Sequence, residues 1–228
     1  MHIRVLGAGL AGCEAALYLA GRGYAVELWE QKPHKFSPAH KNADFAELVC
    51  SNSLKADRLD SASGLLKAEM KLLGSALLPV AEGCRVAAGG ALAVDRHGFA
   101  RMVTESVQSH PNITVVPGEV TEIPAGEVVI ASGPLTSDTL AAKLPQLWGE
   151  KDETLHFYDA AAPLVSFESV DMESAYFASR YDKGTPDYIN CPMSEEEYKA
   201  FWQELIHAQE AEVHGFEDGQ VFEGCMPV

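Results

Sequence analysis

Two groups of residues have types and spacings suited to chemistry. Gly7-Ala8-Gly9-Leu10-Ala11-Gly12 has the G-x-G-x-x-G spacing. In such a run the first glycine allows a tight turn and the second lets a pyrophosphate approach the backbone. The third lets a helix lie close on a strand. The unpaired N–H groups that open the helix then face the phosphates. Glu30 stands 18 residues after Gly12, where a carboxylate can hold ribose hydroxyls, and Lys32 is the alternative ribose contact. The second group is Phe45-Ala46-Glu47-Leu48-Val49-Cys50-Ser51-Asn52-Ser53-Leu54. Ser and Asn side chains and free N–H groups around Cys50 can stabilise a thiolate; the alternative is a buried cysteine that only packs.

The elements that must position these groups follow from the pattern of apolar residues. His2–Leu6 alternates as a strand, Ala11–Ala20 is helical in pattern, and Ala25–Trp29 is a second strand ending at Glu30. This is a β-α-β unit of about 30 residues, the size of one parallel crossover. Residues 31–43 form a loop. Leu65–Leu73 is an amphipathic helix with Leu65, Leu66, Met70 and Leu73 on its apolar side. Asp95 caps a helix that runs to about Ser109, before Pro111, with Phe99, Met102, Val103 and Val107 apolar. Ile113–Val116 and Val128–Ala131 are short apolar strands, so strand and helix keep alternating, the mark of an α/β fold. The glycine motif does not choose FAD over NAD. Two segments lean towards FAD: Ile113–Val120, which reaches the adenine side through Val120, and Val128–Pro134, a strand followed by Gly133. Each also reads as an ordinary buried strand with a turn.

Composition narrows the classes. The 228 residues are 47% hydrophobic, enough for a buried core and against global disorder. No apolar run approaches the roughly 20 residues of a membrane-spanning helix, and there is no signal-peptide pattern at the start, so a cytoplasmic location is expected. Five cysteines without a C-x-x-C pair argue against a zinc knuckle or a disulfide framework. The charge is uneven. Residues 1–149 carry 13 basic and 15 acidic side chains, a net of −2, whereas 150–228 carry 4 and 18, a net of −14. Bulk electrostatics therefore disfavours a polyanion on the second part. That part begins with strand-like material, Ala161–Phe167. It then holds a helix opened by the capping box Ser194/Glu197, with Tyr198, Phe201, Trp202, Leu205 and Ile206 at helical spacing; this stripe is expected to pack on its own domain.

The glycine turn and Phe45–Leu54 occur in order with Gly89–Arg96, Ser132–Ser137, Phe157–Pro163, Tyr188–Pro192 and Phe222–Pro227. Together these strings resemble the folate- and FAD-dependent tRNA (uracil-5-)-methyltransferase family, over essentially the whole chain. The resemblance implies a Rossmann-like FAD-binding domain of the glutathione-reductase type, discontinuous in sequence. Residues 1–149 would be its first part and residues 150–228 the start of an inserted second domain. Members are about twice as long, so a fragment or a truncated chain is expected, with the remaining inserted domain and returning flavin segment absent. The implied reaction forms 5-methyluridine in the T loop of tRNA. Methylenetetrahydrofolate is the carbon donor, FADH2 the reductant and NAD(P)H its source. By the same resemblance Cys225 attacks carbon 6 of uracil and Cys50 moves the carbon 5 proton, with the roles open to exchange. Cys13 and Cys84 are expected to pack. A folate has a flat pterin and a glutamate tail, and the loop Lys32–Arg58 carries five cations and His34 and His40. His40 is the expected folate contact; the alternative is a solvated lysine-rich loop. A ribosomal RNA uridine as target, and a non-catalytic FAD-binding remnant, are the rival readings.

Overall fold

The computed structural model describes residues 2–49, 51–147, 165–179 and 184–209. The first region runs β1 (His2–Leu6), α1 (Leu10–Gly21), β2 (Ala25–Glu30), β3 (Ser53–Ala56), α2 (Ala62–Leu72) and α3 (Leu77–Gly83). It continues with β4 (Arg85–Val86), β5 (Ala91–Val94), α4 (Arg96–Gln108), β6 (Ile113–Pro117), β7 (Glu127–Ile130) and α5 (Asp138–Ala141). Beyond it lie β8 (Tyr176–Ala178), β9 (Tyr188–Asn190) and α6 (Glu195–Ile206).

The expected crossover is present: β1 pairs in parallel with β2, with Val5 opposite Leu28. β7 pairs in parallel with the other edge of β1, and β6 with β2, giving a four-stranded parallel sheet in the order β6-β2-β1-β7. Val5, Val26 and Leu28 point into the core and are fully buried. The buried face of α1 is Gly12, Cys13, Ala16 and Ala20, all small, so the helix can lie close to the strands. Asp95 caps α4 by accepting from the amides of His97 and Gly98, as expected, and Phe99, Val103 and Val107 are its buried stripe. Truncating Phe99 to Ala in this packing costs about 3–5 kcal/mol. A second sheet, antiparallel in the order β3-β5-β4, was not foreseen from the sequence. It threads directly through two of the motifs, Phe45–Leu54 and Gly89–Arg96. Helix α3 was not foreseen either; its N-terminal amides at Ala76 and Leu77 are accepted by the carboxylate of Glu14, on α1.

Three expectations are corrected. Helix α2 begins at Ala62, capped by Ser61, and its buried residues are Gly64 and Lys67 rather than the leucines. Leu65, Leu66 and Leu73 are exposed, and Met70 alone of the expected face packs on the core. Gly64 decides this: a Cβ there would stand 1.9 Å from the carbonyl oxygen of Arg58, so only glycine lets that face turn inward. Lys67 follows it in and donates to the carbonyls of Leu54 (2.7 Å) and Ser63 (3.0 Å). Second, Val165 and Ser166 are not in a strand and Phe167–Ser169 is a short 3-10 turn; residues 161–164 lie outside the described ones. Third, α6 has its capping box, but Tyr198, Phe201, Trp202, Leu205 and Ile206 are all exposed, and none of its residues is buried. The β8–β9 hairpin touches the first region at the turn before β5. There Asp187 accepts from the Gly89 amide (2.7 Å) and Tyr188 donates its hydroxyl proton to the Ala88 carbonyl (2.9 Å).

Candidate functional site

The C-terminal ends of β1, β2 and β6 open into one pocket. Its wall includes Gly7, Ala8, Gly9, Glu30, Lys32, His40 and Val120, all expected from the sequence, together with Trp29, Glu47, Gly118, Ser132, Thr136 and Ser137. A crevice at the carboxyl ends of parallel strands is where open α/β sheets bind ligands.

The three glycines of the turn have distinct reasons to be glycine. Gly7 adopts φ +95°, and a Cβ there would stand 2.8 Å from Ser132 Cα and 2.9 Å from the Ala131 carbonyl oxygen. A Cβ on Gly12 would meet the Gly7 carbonyl oxygen at 1.8 Å, so α1 could not sit on the turn. Gly9 is the opposite case, with no atom within 4 Å of the Cβ position. It leaves open space just before α1, in front of the helix's free amides, and a diphosphate fits there. Leu10 and Ala11 lie on a second, larger and mainly apolar groove, together with Leu66 and Met70 of α2. Gly133 takes φ +69° in the turn after β7 and is not part of the pocket wall, although its neighbour Ser132 is.

Glu30 is buried at the end of β2. One carboxylate oxygen accepts from the Ala8 amide (2.8 Å) and the other from the Lys32 amide (2.9 Å). Each oxygen keeps a further lone pair, so a ribose diol can still donate to it. Lys32 is buried too, and its ammonium donates to the carbonyls of Asn42 (3.0 Å) and Asp44 (2.5 Å), with Glu47 at 3.5 Å. Its three protons are thus taken up in fixing the loop that closes the pocket. Glu47 accepts in turn from the amides of Lys41 and Asn42. The imidazole of His40 sits 2.6 Å from the hydroxyl of Ser37 through Nδ1. Burial, and then the Lys32 ammonium, hold His40 below the usual histidine range. The indole Nε1 of Trp29 is the one buried side-chain nitrogen or oxygen without a partner among the described residues, a costly state for a donor. Adenosine diphosphate chemistry therefore fits the residues present: glycine backbone for the diphosphate, a buried acid for the ribose, and donors in the wall.

Cys13 lies beneath this pocket. Burial, reinforced by the Glu30 carboxylate, pushes its thiol up to about 12, and it donates to the Ala8 carbonyl (3.3 Å). Cys84 is also buried, with its thiol raised by burial, and contacts Met102 sulfur at 3.3 Å. Both are packed, as expected. Cys50 and Cys225 lie outside the described residues, but Val49 and Ser51, which flank Cys50, are in the wall of the apolar groove. The wall residues Trp29, Glu47 and Thr136 were not singled out from the sequence, although Glu47 and Thr136 fall within the strings Phe45–Leu54 and Ser132–Ser137. Their roles come from loop geometry.

A family model described as glucose inhibited division protein A matches residues 2–228. A protein named methylenetetrahydrofolate--tRNA-(uracil-5-)-methyltransferase TrmFO from Acetivibrio thermocellus is 56% identical over 228 residues, which is 100% of this chain and 52% of that protein. Its namesake from Desulfitobacterium hafniense is 57% identical over 227 residues, 99% of this chain and 52% of that protein. The chain thus spans about half the length of the curated relatives it matches. Among solved structures, GidA from Aquifex aeolicus is 18% identical, covering 58% of this chain and 25% of that one, with a TM-score of 0.47. At that distance the likeness adds nothing to the fold described above.

Proposed function

Because the chain belongs to the glucose inhibited division protein A family, we propose that it forms the FAD-holding part of a folate-dependent tRNA (uracil-5-)-methyltransferase. The observation that carries this is the pocket at the end of β1 and β2, where open space at Gly9 and the buried acid Glu30 stand in one wall. The names of the relatives at 56–57% identity support the reaction. Residues 1–149 are the first part of the flavin domain, a reading supported by the four parallel strands of the described residues, which lie within 2–130. Residues 150–228 begin an inserted domain. The partners are tRNA and methylenetetrahydrofolate, NAD(P)H is the source of electrons, and the compartment is the cytoplasm. Among the described residues no helix is long and apolar enough to cross a membrane.

Bound here, FAD would supply redox chemistry and one-carbon relay; the residues of the chain do the rest. Gly7, Ala8 and Gly9 present backbone to the diphosphate, Glu30 takes the ribose hydroxyls, Val120 shapes the adenine side, Gly133 turns the chain beside Ser132 of the wall, and Lys32 holds the loop. Carbon 5 of uracil is a poor nucleophile. A thiolate adding to carbon 6 makes carbon 5 enolate-like, and after the carbon is attached a base must remove the carbon 5 proton. Cys225 takes the first role and Cys50 the second. The test uses a protein of the relatives' full length carrying this sequence, with unmodified tRNA, methylenetetrahydrofolate and NADPH, following label into 5-methyluridine. Cys225→Ser and Cys50→Ser should each abolish transfer while flavin stays bound. Wild-type turnover by either variant removes that cysteine from the chemistry.

A further inference from the structure

We propose that His40, fixed by Ser37 in its Nε2–H tautomer, donates a hydrogen bond to a diphosphate oxygen of the bound dinucleotide. This rests on the dinucleotide reading of the pocket and assigns His40 to the nucleotide rather than to the folate expected from the sequence.

The first support is a hydrogen-bond count. The Ser37 hydroxyl oxygen is buried and accepts from the His40 amide at 3.3 Å, and it stands 2.6 Å from His40 Nδ1. Ser37 has one proton of its own to place, and Nδ1 is the acceptor at hydrogen-bond distance. We assign the hydroxyl proton to Nδ1, which leaves the ring proton on Nε2, the tautomer that the nitrogen-15 spectrum below reads. With burial and Lys32 disfavouring the imidazolium, the neutral ring is the form present near pH 7.

The second support is the charge of the wall. Its carboxylates are Glu30 and Glu47 and its one ammonium is Lys32, whose three protons are already directed to Asn42, Asp44 and Glu47. A diphosphate brings further negative charge and accepts hydrogen bonds without donating any. Glu30 suits a ribose diol, which donates; it cannot serve a phosphate. Of the ring-bearing side chains in the wall, His40 has a donor free for the phosphate, while the Trp29 Nε1 is buried. Beside the backbone amides around Gly9, His40 adds a side-chain donor for the diphosphate.

The test is ADP binding to the 228-residue chain by calorimetry, with adenosine as the control ligand. Loss of a hydrogen bond to a charged group predicts that His40→Ala weakens ADP about ten- to a hundredfold, leaving adenosine unchanged. His40→Gln, whose amide nitrogen reaches the position of Nε2, should restore most of the affinity. His40→Asn, whose amide reaches only Nδ1, should not. Nitrogen-15 NMR of the ring should report Nε2–H alone in the wild type and a mixture of tautomers in Ser37→Ala. Unchanged ADP affinity in His40→Ala overturns the proposal, as does equal loss of ADP and adenosine, which marks a packing role. If wild type does not bind ADP, or Gly9→Val binds it as wild type does, the dinucleotide reading itself falls and the proposal with it.

Discussion

Replacing Glu30 by alanine should do more than weaken a ligand. The carboxylate is buried and accepts two backbone amides, Ala8 at 2.8 Å and Lys32 at 2.9 Å. Both N–H groups lose their acceptor in Glu30→Ala, and a buried donor left unsatisfied costs about 1–3 kcal/mol. Both residues line the pocket, so water can replace part of what is lost. The net loss is then about 2–4 kcal/mol, more than one contact but less than two full penalties. For a chain of this size each kcal/mol lowers the thermal midpoint by about 2–4 °C, so a fall of about 4–16 °C is expected. Glu30→Gln keeps one acceptor oxygen but turns an NH2 towards the other amide, and should fall between wild type and Glu30→Ala. Thermal unfolding followed by circular dichroism, without any nucleotide, reads this directly. A Glu30→Ala midpoint within about 1 °C of wild type would refute the reasoning, because the carboxylate could not then be holding those amides. A fall in ADP affinity should be judged against this loss of fold before it is credited to the ribose.

The glycines of the first turn should separate binding from folding. Gly9→Val meets open space and should keep the thermal midpoint near that of wild type while losing ADP binding in a titration. Gly12→Ala must push a Cβ into the Gly7 carbonyl, so it should lower the midpoint and lose ADP together; a stable, ADP-binding Gly12→Ala would contradict the close approach of α1 to the turn. Cys13, held up to about 12 against its ordinary 9.0, stays a thiol in the folded protein while the unfolded chain ionises. Its contribution to stability is thus complete below pH 9.0 and is lost as pH rises towards 12, by about 1.4 kcal/mol per pH unit. Cys13→Ala should flatten that alkaline decline in denaturant midpoints between pH 9 and 10.5, and an unchanged slope would dismiss the thiol as its source.

The crossover unit and its phosphate turn were legible because their signals are local. Glycines at fixed offsets, an alternating strand and an acid at the end of β2 all depend on neighbours in sequence, and the capping residues Asp95 and Ser194 are of the same kind. Helix α2 shows where local signals stop. Its leucines outnumber its polar residues on one side, yet the face that turns inward is chosen by how closely Gly64 meets the Arg58 carbonyl. The β3-β5-β4 sheet was hidden for a similar reason, since short strands over motif residues have no periodicity to read. Within the pocket, Gly9 and Glu30 announce themselves, whereas Ser37, behind His40, acquires its meaning only from the fold of the loop that brings the two together.

Helix α6 has a colloidal consequence. Phe201 and Trp202 face solvent on a helix whose first turn is Glu195, Glu196 and Glu197, in the part of the chain that carries a net charge of −14. At neutral pH like-charge repulsion keeps such faces on separate molecules apart. The repulsion weakens as the carboxylates protonate on the way to the chain's isoelectric point of about 4.8, and the same aromatic surface becomes more adhesive. Acid and high salt, which leave the apolar face intact while removing its electrostatic guard, are therefore the conditions in which this polypeptide will cluster first.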